Sequence, residues 1–377
     1  MKNNKIKMKN NKIKILYDHQ AFTMQKFGGI SRYFIELMKR IPESYVVKNS
    51  VLLTENYYYI NENFREKNKI INTNAINFKG KNRVKSSLNN LNTRLKLLTN
   101  KFDVIHPTYY DYYLLDSLKG APFVITVYDM IHEKFSDDIN NITLKQKKET
   151  ILRANKIIAI SENTKKDLID LYNISPSKID VVYLNHNLNN VVIEKIPNLP
   201  QNYILYVGER SWYKNFTNFV HAVKIILDKK QDLQIVCTGR SFGKDEINLL
   251  TELKIMDRFH QYFVSDSQLK YLYCNAEMFV YPSKYEGFGI PILEAFSCGC
   301  PVVLSNTSCF PEIAGEAGIY FDPENINEMS DQMNAVLDNL ALKEQKIKLG
   351  RQVMLKFSWS NTVEKTLEIY NNMIIQK

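Results

Sequence analysis

Two glutamates, Glu286 and Glu294, flank a glycine-rich apolar run in "KYEGFGIPILEAFSCGCPV" (284–302). A carboxylate accepts hydrogen bonds from paired hydroxyls, so each could grip a polyol ring. Gly287 and Gly289 allow close approach and backbone angles closed to other residues. Pro291 suits the first turn of a helix, where a missing N–H costs nothing. A helix starting there offers unsatisfied N–H groups and a positive dipole end, which together seat a phosphate. The alternative reading of the two acids is one capping carboxylate and one solvated helix carboxylate. A second loop, "YVGERSWYKN" (206–215), follows an apolar run and supplies Arg210 and Lys214. Two cations there would neutralise a diphosphate, or simply sit in solvent. Fixed cations and helix amides can stabilise a departing diphosphate without rearranging. A metal could do the same, but no Asp-x-Asp occurs in the chain. No metal is therefore expected.

Elements that would position these groups are readable from periodicity. "IKILYD" (13–18), "FDVIHP" (102–107), "FVITVYD" (123–129), "KIIAIS" (156–161) and "KIDVVYLN" (178–185) read as strands. "ISRYFIELMKRI" (30–41) has helical spacing, and Ser161 is a plausible N-cap for the stretch after it. "EKIPNLPQ" (194–201), with two prolines and no periodicity, reads as a linker. A second alternation follows: strands at 203–209, 233–239, 277–283 and 301–306, and helices at 215–227, 269–276 and 290–299. Alternating β and α at this spacing argues for parallel sheets covered by helices. The expected architecture is α/β, with two Rossmann-like domains facing across a cleft. The expected division is residues 1–195, residues 196–357, and a terminal helix at 358–377 packing back toward the first domain.

The 377 residues carry a formal net charge of +10, unevenly spread. Residues 1–14, "MKNNKIK" written twice, hold six lysines and no acid, and Met8 is a candidate start beside Met1. Residues 67–102 hold nine Lys or Arg and no acid, leaving the remainder net acidic. That argues against a general polyanion groove, and so against a nucleic-acid binder. Within the window, Val84, Leu88, Leu91, Leu95 and Leu98 recur at helical spacing beside Lys81, Arg83, Lys85, Arg94 and Lys96. Two readings stay open: leucines packed on the first domain's sheet, or a basic amphipathic helix on an anionic membrane surface. No export signal or membrane span is apparent, and the five cysteines read as reduced thiols. Cys298, Cys300 and Cys309 lack a fourth ligand at metal-site spacing. A cytoplasmic protein, possible peripheral membrane contact included, is expected.

"EGFGIPILEAFSCGCPVVLSN" with "PEIAGEAGIYFDP" (311–323) resembles the E-x7-E signature of the retaining glycosyltransferases of family 4. "YVGERSWYKN" resembles that family's donor-phosphate loop, "FGGISRY" (27–33) its N-terminal glycine loop, and "FSWSNTVEKTLEIY" its terminal helix. The resemblance implies a GT-B fold, a nucleotide-diphosphate sugar as co-substrate, no cofactor or obligatory metal, and retention at the anomeric carbon. It implies that Glu294 holds the donor ribose and Glu286 the donor sugar, with Arg210 and Lys214 on the diphosphate. It further implies that the amides of Gly287, Phe288 and Gly289 approach sugar and phosphate. Val264 would lie beside the base, and Gly28 and Gly29 would close on the donor phosphates. Many relatives have a histidine where Tyr128 stands here. Asp129 is the replacement candidate for sugar or acceptor contact, ahead of His132 and His106. Tyr109, Tyr110, Tyr112 and Tyr113 could stack on sugar faces. The acceptor is expected to be a glycan or a lipid-linked precursor of surface polysaccharide, and mannose the sugar. A nicotinamide oxidoreductase would want G-x-G-x-x-G after the first strand, which "FGGISR" lacks. A nucleotide-sugar epimerase on the same architecture is the alternative.

Overall fold

The computed structural model describes residues 12–62, 70–118, 120–135, 141–210 and 212–375. The N-terminal repeat and the start of the basic window lie outside the described residues. The chain divides into two compact units. The first holds the chain up to Ile160, Lys165–Val182 and the segment from Trp359; the second holds Ser161–Thr164 and Tyr183–Ser358. The division thus falls at Tyr183, and the proline-flanked run at 194–201 lies inside the second unit. The cause is local packing. The Tyr183 ring packs at a tilt against Phe288 and Phe357, while Lys270 holds the carbonyls of Asn189 and Val191.

In the first unit, strands β1 (Ile13–Tyr17), β2 (Tyr45–Asn49) and β5 (Val104–His106) form one parallel sheet, ordered β2–β1–β5. Strands β6 (Val124–Val127), β7 (Lys156–Ala159) and β8 (Ile179–Val181) form a second, also parallel. A bridge between Ile105 and Phe123 links them. A short pair, β3 (Leu53–Thr54) and β4 (Ile71–Asn72), stands apart. Helix α1 (Gly29–Arg40) follows β1, α2 spans Lys81–Thr99, and α3 (Glu162–Tyr172) starts where Ser161 Oγ accepts from the Thr164 N–H.

The second unit is a six-stranded parallel sheet ordered β11–β10–β9–β12–β13–β14. Its strands are β9 (Tyr203–Tyr206), β10 (Gln234–Thr238), β11 (Phe259–Tyr262), β12 (Met278–Tyr281), β13 (Val302–Ser305) and β14 (Ile319–Phe321). All four residues of β9 and of β12 are buried, as expected of strands covered on both faces. Helices α4 (Phe216–Leu227), α5 (Lys244–Glu252), α6 (Asp266–Asn275) and α7 (Ile290–Ser297) belong to this unit. Phe219, Val223 and Ile226 of α4 join Ile204, Ile235 and Val280 of the strands in one core.

The terminal helix α8 (Trp359–Ile375) packs within the first unit through buried hydroxyls and an imidazole. Tyr370 Oη lies 2.8 Å from Tyr17 Oη and 2.6 Å from His106 Nδ1. His106 Nε2 lies 2.9 Å from Thr126 Oγ1. His106 is fully buried with both nitrogens bonded, so it is a core residue and not the acceptor contact considered from sequence. Burial holds its pKa down to about 3, so the folded ring stays neutral. The unfolded ring titrates near 6.5. Above pH 6.5 both forms are neutral and the group adds no pH dependence. Below it the unfolded chain takes a proton that the folded chain refuses. Stability then falls by about 1.4 kcal/mol per pH unit toward pH 3. Between pH 7 and pH 5 the wild type should lose about 2 kcal/mol more unfolding free energy than His106→Gln. Equal pH slopes in denaturant titrations would contradict a buried neutral ring.

Helix α2 turns its polar face inward. Lys85, Asn89 and Thr93 are its buried residues. Asn89 is saturated: Oδ1 accepts from Leu52 and Leu53 N–H at 2.8 and 3.0 Å, and Nδ2 donates to Thr23 Oγ1 and the Leu53 carbonyl. Thr93 pairs with Ser50, and Glu55 draws in Lys81 and Lys85. Val84, Leu88, Leu91, Leu95 and Leu98 consequently face solvent, each 42–58% exposed. Leucines packed on the sheet are therefore excluded. The leucine period gives a stripe, but the hydrogen-bond partners choose its side.

Candidate active site

β9 and β12 are parallel neighbours at the middle of the second unit's sheet, with Phe279 opposite Leu205. From β9 the order runs outward to β10 and β11; from β12 it runs the other way to β13 and β14. The loops leaving these two strands therefore part at a topological switch point, where open α/β sheets form crevices. Both sequence motifs sit there. The loop after β9 carries Lys214, and the loop after β12 carries Glu286. A backbone bond from Lys284 N–H to the Tyr213 carbonyl, 2.8 Å, ties one loop to the other.

Lys214 Nζ meets Glu286 Oε1 at 2.6 Å, and their side chains retain 17% and 11% exposure. The ammonium lies over the rings of Tyr213 and Tyr281, 5.0 and 5.7 Å from their centroids. Ser308 fixes the backbone of Glu286: its Oγ accepts from the Glu286 N–H and donates to the Glu286 carbonyl, at 3.0 and 2.8 Å. Ser308 holds a left-handed φ of 53°, uncommon for a residue with a side chain. Burial pushes the Tyr281 hydroxyl well above its usual range, and the Glu286 charge adds to this, so Tyr281 stays protonated.

Past Glu286, the chain reaches α7 through Gly289, left-handed at φ 88°. A Cβ there would lie 2.9 Å from Ile292 Cδ1, so glycine suits both angle and space. Among the described residues, the N–H groups of Gly287, Phe288 and Gly289 have no protein acceptor. Phe288 itself is buried, tilted against Tyr183 and edge-on to Phe357. Pro291 lies in the first turn of α7, as expected. One turn on, Glu294 is buried and its Oε2 accepts from Tyr273 Oη at 3.2 Å. Burial first, then the Glu294 charge, raises the Tyr273 hydroxyl well above its usual range. Val264 lies half-buried between β11 and α6.

Arg210 departs from the expectation. Its guanidinium is turned inward with the side chain fully buried. Nε meets Glu246 Oε1 at 3.1 Å, and the terminal nitrogens donate to the carbonyls of Thr238, Arg240 and Ser241. Phe216 and Phe242 cover it. Four donations spend nearly all of its hydrogens, so in this conformation Arg210 braces the loop and presents no fork to a diphosphate. Glu246 on α5 is the residue that sequence reading missed. It lies 36 positions downstream, with no local signal.

The first-unit candidates are separately placed. Gly28 caps α1 in an extended conformation and Gly29 opens that helix, with open space where its Cβ would be. Asp129 follows β6; its Oδ1 accepts from Ile131 N–H, its carbonyl accepts from the buried Lys147, and its carboxylate remains 31% exposed. Nδ1 of His132 is buried and, among the described residues, has no hydrogen-bond partner. Tyr110 and Tyr113 are core residues; Tyr112 is exposed. Cys300 and Cys309 are buried thiols, and burial pushes Cys298 up to about 12, away from thiolate chemistry.

Two units of parallel α/β sheet, with a cation–carboxylate pair and free amides at a switch point, define a GT-B glycosyltransferase fold. Sucrose-phosphate synthase from Thermosynechococcus elongatus superposes with a TM-score of 0.76 over 97% of this chain and all of that one, at 17% identity. Anabaena HepE in complex with UDP and glucose superposes with a TM-score of 0.72 over 96% and 100%, at 15% identity. Residues 192–353 match the model for glycosyl transferases group 1, and residues 27–184 the model for Glycosyltransferase Family 4. The chain belongs to the family 4 glycosyltransferases. Among curated relatives, O-antigen chain mannosyltransferase B of Escherichia coli is 31% identical over 59% of this chain and 62% of its own. O-antigen chain mannosyltransferase RfbU of Salmonella typhimurium is 30% identical over 47% and 50%. The match thus spans between half and two thirds of those relatives. Among the described residues, no helix is long and apolar enough to cross a membrane.

Proposed function

We propose that the chain is a retaining glycosyltransferase that moves mannose from a nucleoside-diphosphate mannose to a glycan or lipid-linked acceptor in surface-polysaccharide synthesis. The observation that carries the reading is the Lys214–Glu286 pair beside the free amides of Gly287–Gly289, at the start of α7. Mannose is favoured by the O-antigen mannosyltransferase relatives, and retention by family membership. The donor's diphosphate lies against the amides and takes the Lys214 ammonium. Glu286, released from the ion pair, accepts from the sugar's hydroxyls, and Glu294 accepts from the ribose. As the glycosidic bond breaks, negative charge grows on the leaving phosphate while Lys214 and the helix start are already aimed at it. Arg210 acts by holding the Lys214 loop. Asp129 is kept as a sugar or acceptor contact. No metal enters this scheme, so turnover should survive EDTA.

A melting screen against GDP, UDP and their sugars tests the binding claim. A ligand that binds only the folded chain stabilises it by about 2.7 kcal/mol at a hundred times its Kd. The expected result is a rise of several degrees with GDP and GDP-mannose. No shift with any nucleoside diphosphate at millimolar concentration would contradict the reading.

A further inference from the structure

We propose that the outward face of α2 docks on an anionic lipid bilayer. The helix is inverted relative to an ordinary surface helix. Lys85, Asn89 and Thr93 are bonded inside the first unit, and the helix's apolar stripe stands in water. Val84, Leu88, Leu91, Leu95 and Leu98 form one unbroken line along about four turns. Ile76 and Phe78, just before the helix, are exposed as well, at 44% and 48%. A contiguous apolar strip of this length marks an interaction surface, since scattered exposed leucines would not line up.

Charge selects the occupant. The helix carries no acidic residue. Of the cations named from sequence, Lys81 and Lys85 turn in to Glu55, and Lys96 donates to the Asn49 carbonyl at 2.8 Å. They serve the fold. The outward set is Lys79, Arg83, Arg94 and Lys101, all exposed. Arg83 and Arg94, eleven residues apart, fall on the same flank of the strip, three turns from each other. Arg94 also donates to the Tyr113 carbonyl at 3.1 Å, which holds it at the strip's edge. An apolar seam at 4,3,4,3 spacing would also suit another helix. A second copy of this chain, however, would bring cations of the same sign against these, with no acid on α2 to pair them. An anionic headgroup layer meets both features at once: leucines enter the acyl boundary and the arginines stay at headgroup depth. Each cation near such a surface strengthens partition by ~5-fold.

The experiment is co-sedimentation of the full chain with vesicles of phosphatidylglycerol and phosphatidylcholine, and with phosphatidylcholine alone, at low and high salt. The expected result is pelleting with the anionic vesicles at low salt, at least ~10-fold weaker at high salt or on neutral vesicles. Two variant sets separate the terms. Leu88→Gln/Leu91→Gln/Leu95→Gln should abolish pelleting. Lys79→Gln/Arg83→Gln/Lys101→Gln should weaken it by ~100-fold, taken as three cations of ~5-fold each. Both sets lie on the solvent face, so melting temperature and the melting shift with nucleoside diphosphate should match wild type. That second readout keeps failure here distinct from failure of the donor reading. Absence of pelleting by wild type at low salt overturns the proposal. So does pelleting unchanged by both variant sets, or leucine-dependent dimerisation in sedimentation velocity without vesicle binding.

Discussion

Replacing Lys214 by alanine should reduce sugar transfer by ~100-fold or more, the scale for losing one group preset at a centre of developing charge. The expectation rests on geometry. Lys214 reaches the switch-point crevice on a loop tied to its neighbour by the Lys284–Tyr213 backbone bond, and it meets Glu286 at 2.6 Å. Its charge is placed before any ligand arrives. The loss should appear mostly in kcat if the ammonium meets charge that grows in the transition state, and in KM if it only binds ground-state phosphate. Stability should change far less. Glu286 keeps some contact with water once its partner is gone, so the cost is about 1–2 kcal/mol. Lys214→Arg keeps the charge and should recover part of the rate. A folded Lys214→Ala enzyme turning over at the wild-type rate would remove Lys214 from the chemistry.

Arg210 should behave in the opposite way. Arg210→Met keeps an apolar stem of similar length and deletes the guanidinium. It removes this donor from the carbonyls of Thr238 and Arg240, leaves the Ser241 carbonyl with Arg240 alone, and strips Glu246 of one of its two arginine partners. Breaking a buried pair of this kind costs about 3 kcal/mol. For a unit of this size that lowers the melting temperature by about 6–12 °C. The neighbouring Arg240 still meets Glu246 at 2.9 Å, which keeps the cost from rising further. Donor affinity measured below the melting transition should fall by less than ~10-fold, because the loop is loosened but its lysine remains. A loss of ~100-fold in affinity with an unchanged melting temperature would show that the guanidinium leaves its nest to reach the phosphate.

The difference between these two cations explains what sequence reading can reach. The β–α alternation was legible because buried parallel strands are continuous apolar runs and helices repeat every three to four residues. The motif Glu286…Glu294 was legible because a glycine-rich strand-to-helix turn has a narrow purpose. Loop spacing brought Arg210 and Lys214 forward as a pair, but it carries no information on which side chain turns inward. That choice belongs to Glu246 and Phe242, far along the chain, together with the nearby Phe216. His106 ends a strand, as site residues often do, yet Tyr370 of the terminal helix closes over it. The leucines of α2 show the same limit. Their period is unambiguous, but Asn89, Thr93 and Glu55 decide which face is buried. Ser308, which fixes Glu286, looks in sequence like an ordinary loop serine. The unit boundary falls at Tyr183, ahead of the sequence-based 195, because proline and absent periodicity mark only irregular chain. They do not say which unit that chain packs against.

The most direct test of the donor site is a crystal structure of the chain with a bound nucleoside diphosphate. The expected result is the diphosphate at the start of α7, within hydrogen-bond distance of the Gly287–Gly289 amides and of Lys214 Nζ, with Glu294 accepting from the ribose. Diphosphate density away from both Lys214 and the α7 start would contradict the site.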